Sequence, residues 1–173
     1  MKQPLMCLLY IALPLLPTVA WAAAGAPGHS HEQYVFGKPG DPKKPARVIG
    51  VTMREGDGRM SFEPERVEIR QGDQIRFRLV NGGELKHEFM LGTVEDNAKH
   101  AAIMQKFPEM EHDDGNGKTL EKGNKADLVW LFDKPGTFEF ACLQPGHYEA
   151  GMKGTIVVLP RKSKSDQNSK DRS

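Results

Sequence analysis

The sequence predicts an all-β sandwich or barrel of about seven to eight short strands with one short helical insert. In residues 66–70 and 74–79, apolar side chains alternate strictly with charged or polar ones, which is the pattern of half-buried strands. Turn signals rich in Gly, Asn and Pro, such as 81–83 and 134–136, separate the candidate strands. The pattern continues in further segments at 47–53, 86–92, 126–132, 137–142 and 154–159.

Two segments differ from this pattern. Residues 95–106 are rich in Ala, Lys, Met and Gln and precede Phe107-Pro108, so they predict a helix that ends there. Residues 71–73, Gln-Gly-Asp, predict a turn. This turn either joins neighbouring strands or carries the chain to a second sheet, and the sequence leaves both arrangements open.

The chain divides into four segments. Residues 1–24 predict a secretory signal peptide, because Lys2 precedes an apolar run at 5–19 and small residues at 22–24. Two prolines interrupt that run, and a membrane span needs about 20 apolar residues, so a retained anchor is the less favoured alternative. The exported protein is expected in the periplasm. The remaining segments predict a flexible leader at 25–45, one domain at 46–160 and a disordered tail at 161–173.

Cysteine usage restricts the chemistry of the exported protein. Cys7 lies in the predicted signal peptide, so Cys142 is the only cysteine that remains after export. In an oxidising compartment, a lone thiol is buried, paired between chains or used as a metal ligand. Removal of Lys2 leaves 23 of the 24 basic residues against 23 acidic ones, so net charge gives no reason to expect nucleic acid as a partner.

Two residues that can bind metals face the predicted core. Cys142 has the same strand parity as Phe140, and His87 has the same parity as Phe89. Side chains of equal parity share one face of a strand, and the aromatic face is the buried one. A thiol and an imidazole are therefore both expected to point inward.

A short loop after Cys142 carries two more candidate ligands, His147 and Met152. One thiolate, two imidazoles and a weak axial thioether are the ligand set of type 1, or blue-copper, sites. Each of these residues alone could be ordinary core, but their combination favours a metal. Zinc is the main rival, although a zinc site prefers a fourth strong ligand or a water. The sequence therefore predicts one copper ion, Cu(I) or Cu(II), bound by His87, Cys142, His147 and Met152.

These motifs carry a resemblance to a known family. Residues 127–147 and 149–158, together with His87, resemble the C-terminal half of a cupredoxin. The similarity extends over about residues 47–159 and is greatest to the periplasmic copper-tolerance cupredoxins, with azurin, plastocyanin and rusticyanin more distant. It implies a Greek-key β-sandwich and a type 1 copper site. Many cupredoxins have Asn after the first histidine, where it ties the two ligand loops together. This chain has Glu88 there, which leaves the surroundings of the site open.

Further soft and imidazole side chains could bind additional copper. They are His100, Met104, Met110 and His112 in and after the predicted helix, and His29 and His31 near the new N-terminus. The favoured alternative is structural, because Met104 can pack on one face of the helix and the acidic run beside His112 can be a solvated loop.

The predicted function is that of a periplasmic copper protein that transfers single electrons, contributes to copper tolerance by binding and handling copper, or does both. The alternative is a dedicated electron carrier for a respiratory or denitrification partner. The chain lacks the length and the extra strand-borne histidine pairs of copper enzymes, so no enzyme is expected. We expect a monomer that docks transiently near His147 on a redox or copper-handling protein and, once the signal is removed, binds no membrane.

Overall fold

The computed structural model describes residues 34–109 and 115–161, which form ten strands and one helix. The predicted signal peptide, the start of the predicted leader and the tail beyond residue 161 lie outside the described residues. One sheet contains β1 (Lys38–Pro39), β2 (Arg47–Gly56), β3 (Arg59–Glu63), β5 (Gln74–Asn81) and β8 (Lys125–Leu131). The other contains β4 (Arg66–Arg70), β6 (His87–Gly92), β7 (Gly117–Leu120), β9 (Gly136–Ala141) and β10 (Lys153–Leu159). The helix α1 is Val94–Met104.

The two sheets have mixed topology. Their strand orders are β1-β8-β5-β2-β3 and β4-β10-β9-β6-β7, with parallel pairing of β2 with β5 and of β4 with β10. The turn at 71–73 leads from β4 in one sheet to β5 in the other, so the crossing arrangement is the correct one. Gly72 makes this possible with φ +94° and an N–H that donates to the Phe132 carbonyl oxygen at 2.7 Å.

Side chains from both sheets form the main apolar cluster of the domain. Its centre is aromatic: Phe62 and Phe89 each lie within 6 Å of Phe140, with ring centroids 5.2 Å and 5.1 Å apart respectively. Gly154 pairs with Phe140 across β9 and β10, and a Cβ there would overlap the ring. The apolar residues that alternate with polar ones along the strands thus form one buried face on each sheet.

Strand β6 is buried on both faces, because α1 packs against its outer side. Met90 on that side joins Met104 of the helix, Ala141 and Leu143 in a second small cluster. A capping box starts the helix: the Thr93 hydroxyl accepts from the Asp96 N–H, and the Asp96 carboxylate accepts from the Thr93 N–H. The helix predicted at 95–106 is therefore confirmed with slightly different ends.

The predicted leader is corrected over its described part. Phe36 is 1% exposed and belongs to the main cluster, where its ring stacks on Trp130 at 5.3 Å. The indole N–H of Trp130 donates to the Phe36 carbonyl oxygen, and β1 pairs with β8. Residues 34–45 are therefore part of the domain, which does not begin at 46. The Gly- and Pro-rich composition of this segment predicted a leader, although the segment contains the deeply buried Phe36.

The seven predicted strands are all present with ends shifted by a few residues, but β1, β3 and β7 were not expected. The predicted all-β sandwich with one short helix is confirmed, and the described residues contain ten strands where about seven to eight were expected. The hairpin between β2 and β3 had a usable signal, since Asp57-Gly58 lies at its tip with φ of +50° and +73°. Asp-Gly is a preferred pair for such two-residue turns because both positions need positive φ.

Candidate metal centre

Three side chains that can bind metals lie together in the buried end of the second sheet. Ligand atoms of His87, Cys142 and His147 are all within 4.8 Å of one another. The Cys142 Sγ lies 3.3 Å from Nδ1 of His147, and the Nδ1 atoms of His87 and His147 are 3.2 Å apart. The two imidazoles and the thiol thus face a common point.

Strand pairing explains this meeting. His87 is the first residue of β6, and Cys142 directly follows β9, which pairs antiparallel with β6 through Met90 and Ala141. The antiparallel register places the start of one strand beside the end of the other. Both side chains are fully buried, as the parity argument predicted.

Backbone hydrogen bonds close the loop that carries the other two residues. The His147 N–H donates to Gln144 O, the Met152 N–H to His147 O, and the Cys142 N–H to Met152 O, each at 3.0 Å. Gly146 and Gly151 have φ of +85° and +102°, which other residues rarely adopt. Met152 is fully buried in the same apolar cluster as Cys142, while His147 is partly exposed.

The donor set fits copper. A sulfur and two imidazole nitrogens converge, and a buried thioether is held on the same short loop. Burial raises the pKa of the Cys142 thiol to about 12, against the opposing effect of N–H donors from Glu88 and Gln144. The metal-free protein therefore holds a neutral thiol, and a bound cation must displace its proton. Burial also lowers the pKa of both His87 and His147, so that their nitrogen lone pairs are available at neutral pH.

Glu88 ties the two ligand-bearing segments together. It is fully buried, its N–H donates to Cys142 Sγ at 3.3 Å, and its carboxylate Oε2 accepts from the Leu143 N–H at 3.2 Å. This is the linking position that the resemblance assigns to Asn. In this chain a longer, acidic side chain therefore makes the link between the two segments.

Sequence reasoning missed a second acidic residue at the site, Glu55 of β2. Its Oε1 lies 2.6 Å from Nε2 of His87, and its two oxygens accept from the N–H groups of Leu85 and Glu84 at 2.9 Å. Burial raises the pKa of Glu55, but the two backbone donors and His87 outweigh it, so that the pKa is below its ordinary value. No local pattern distinguishes Glu55 from the other acids of the hairpin, because its role depends on a contact with a strand far along the chain.

The residues considered for additional copper are only partly described. Met104 is fully buried among Met90, Ala141 and Leu143, as the structural alternative expected. The Nε2 atom of His100 lies 3.9 Å from a carboxylate oxygen of Glu88. The other candidates, Met110, His112, His29 and His31, lie outside the described residues. Accessory copper binding therefore stays the less favoured hypothesis.

A two-sheet β-sandwich in which a buried sulfur and two imidazoles converge defines the class of small type 1 copper proteins. Comparison of the sequence with protein families agrees with this class. The model of the copper binding proteins of the plastocyanin/azurin family matches residues 49–159, and the chain belongs to this family.

Several individual proteins are similar to this chain in sequence or in fold. The chain is 41% identical over 152 residues to the copper-resistant cuproprotein CopI of Rubrivivax gelatinosus, covering 83% of this chain and 90% of the relative. It is 34% identical to the CopI protein of Pseudomonas aeruginosa, covering 80% and 89% of the two chains. The crystal structure of reduced auracyanin from Roseiflexus castenholzii shares the fold, with a TM-score of 0.57, 22% identity and coverage of 68% and 100%. Within residues 34–109 and 115–161, helix α1 is neither long nor apolar enough to span a membrane.

Proposed function

We propose that this protein is a periplasmic cupredoxin that holds one copper ion through His87, Cys142 and His147, with Met152 as weak axial ligand. It transfers single electrons and contributes to copper tolerance. The convergence of the three ligand atoms within 4.8 Å, with the sulfur fully buried, is the observation that carries the proposal. Copper supplies the one-electron couple between Cu(I) and Cu(II).

The protein contributes a site that need not rearrange. Loop 142–152 is closed by its own backbone hydrogen bonds, and the Glu88 side chain fastens it to β6 through the Leu143 N–H. A mixed set of soft sulfur and borderline imidazole donors suits both oxidation states. Such a held geometry favours fast electron transfer because little nuclear motion accompanies the change of charge.

The partly exposed His147 gives the proposed site its nearest access to solvent. A redox or copper-handling protein would dock there in a small, transient contact, with this chain as a monomer. The role is that of a carrier and binder rather than an enzyme. Export through the N-terminal segment would place the protein in the periplasm.

Copper tolerance is favoured over a dedicated respiratory carrier by two relatives that are at least 34% identical and bear the name copper-resistant. The role is tested in a strain from which the gene is deleted. We expect growth in excess copper to be impaired and to be restored by the natural chain but not by Cys142→Ser. Normal copper resistance of the deletion strain, with impaired growth on one electron acceptor, would favour the carrier alternative.

The metal site is tested by adding Cu(II) to the purified protein. We expect one bound copper per chain and an intense visible absorption from thiolate-to-copper charge transfer. Cys142→Ser should abolish this absorption, because the exported protein then has no cysteine. Visible absorption that persists in folded Cys142→Ser would overturn the ligand assignment.

A further inference from the structure

Glu55 contacts the His87 ring on the side opposite Cys142 and His147. The imidazole has two nitrogens: Nδ1 lies 3.2 Å from His147 Nδ1, and Nε2 lies 2.6 Å from Glu55 Oε1. A carboxylate can only accept a hydrogen bond, so the proton of the neutral ring must be on Nε2. The lone pair of Nδ1 is then directed toward the sulfur and the second imidazole.

Backbone hydrogen bonds hold the Glu55 carboxylate in place. Its oxygens accept from two successive backbone N–H groups, those of Glu84 and Leu85, just before β6. A Cβ at Gly83 would overlap the carboxylate, so the loop closes around it at a residue with no side chain. The side chain is only 20% exposed, which limits screening by water.

The geometry points to Glu55 as a positioning residue that fixes His87 in the tautomer needed for metal binding and lowers the reduction potential of the site. The first part concerns the metal-free protein, and the second rests on the proposed function. A negative charge one imidazole ring from the ion stabilises Cu(II) more than Cu(I), because the higher ionic charge interacts more strongly with it. Hydrogen bonds from metal-bound histidine to carboxylates act in the same way in other metal sites.

The tautomer is measured directly in the metal-free natural chain by ¹⁵N NMR of the histidine rings at neutral pH. We expect His87 to carry its proton on Nε2. In Glu55→Gln, which keeps the size of the side chain but has weaker acceptor strength, the population with the proton on Nδ1 should increase. A proton on Nδ1 of His87 in the natural chain would overturn the tautomer assignment without requiring any variant.

The potential is measured by redox titration of the copper-loaded protein. Glu55→Gln should lower the ratio of Cu(II) to Cu(I) affinity about tenfold, which raises the potential by about 59 mV for a one-electron couple. Glu68→Gln is the matched control, because it removes one carboxylate from an exposed position of β4. Its potential should equal that of the natural chain within a few millivolts.

A second variant covers the case in which Glu55→Gln does not fold. Gly83→Ala displaces the carboxylate without removing its charge, so it should also increase the Nδ1-protonated population. If the natural chain shows the thiolate band but both the tautomer and the potential are unchanged in Glu55→Gln, the role of Glu55 is refuted and the proposed function stands. If the natural chain takes up no copper, the proposed function fails, and the ¹⁵N measurement still decides the tautomer.

Discussion

Individual polar residues around the site are buried with defined partners, which explains why a polar pocket can exist in an apolar core. Asn81 is 1% exposed, and its side-chain amide donates to the carbonyl oxygens of Leu85 and Leu120 at 2.7 Å and 3.0 Å. Its Oδ1 accepts from the Gly83 N–H at 2.9 Å. Asn81 and Glu55 thus both bind the backbone of residues 83–85, and this segment leads to His87 at the start of β6.

Met152 provides a prediction at this scale. Met152→Leu is close to volume-conserving, so the free energy of unfolding of the metal-free protein should change by less than about 1.5 kcal/mol. The reduction potential should rise, because loss of the thioether removes electron density that favours Cu(II). Met90→Leu makes the same change in the second small cluster, next to Met104, and should leave the reduction potential nearly unchanged. Equal shifts in both variants would argue against axial ligation by Met152.

Helix α1 is the element that links the outer face of the second sheet to the ligand loop. Asn97 of the helix is 1% exposed and donates from Nδ2 to Oε1 of Glu139 in β9 at 2.9 Å. The Tyr148 hydroxyl donates to the other oxygen of Glu139 at 3.1 Å, and Tyr148 directly follows His147. One nearly buried carboxylate therefore holds the helix and the loop to the same strand.

This link gives a prediction for the element. Asn97→Ala removes the helix donor from Glu139 and should lower the free energy of unfolding by about 1–3 kcal/mol, because a buried carboxylate oxygen loses its partner. Lys99→Ala, an exposed position two residues along the same helix, should change it by less than about 0.5 kcal/mol. Urea unfolding followed by tryptophan fluorescence measures both. Similar losses in the two variants would argue against the Glu139 contact as the cause, because alanine has the highest helix propensity and propensity alone would stabilise the helix in both.

The whole molecule gains its pH dependence from groups that folding removes from water. Burial lowers the pKa of His87 and His147 below the ordinary value of 6.5, so the unfolded chain binds more protons than the native one below about pH 6.5. Burial raises the pKa of Cys142 from 9.0 to about 12, so the unfolded chain loses this proton first as the pH rises above 9.

The metal-free protein should therefore be most stable between about pH 6.5 and 9 and should lose stability on both sides. Urea unfolding at a series of pH values measures this profile. Cys142→Ser should remove part of the alkaline loss and leave the acidic loss in place. An alkaline limb that is identical in the variant would contradict the raised pKa of the thiol. Copper uptake should release a proton, since the thiol must ionise.

Local sequence patterns were sufficient to predict most strands of the two sheets. Alternation with a period of two identified seven strands, and the same parity placed His87 and Cys142 on the buried side, because both depend only on neighbouring residues. Of the missed strands, β1 and β7 lacked such a pattern, whereas β3 does alternate Met60 and Phe62 with polar residues. β1 is two residues long, and residues 34–45 are held by Phe36 against Trp130, a contact between distant parts of the chain.

The sequence by itself determined the donor types, their order and the class of protein, since a thiol, two imidazoles and a thioether in these strand contexts suit few ions other than copper. Only the tertiary structure decided which acids surround the donors: Glu55 reaches His87 from another strand, and Glu88 reaches Leu143 across the sheet. The reason is physical. The chemistry of a side chain is fixed by its identity, whereas its electrostatic surroundings come from residues that folding brings together.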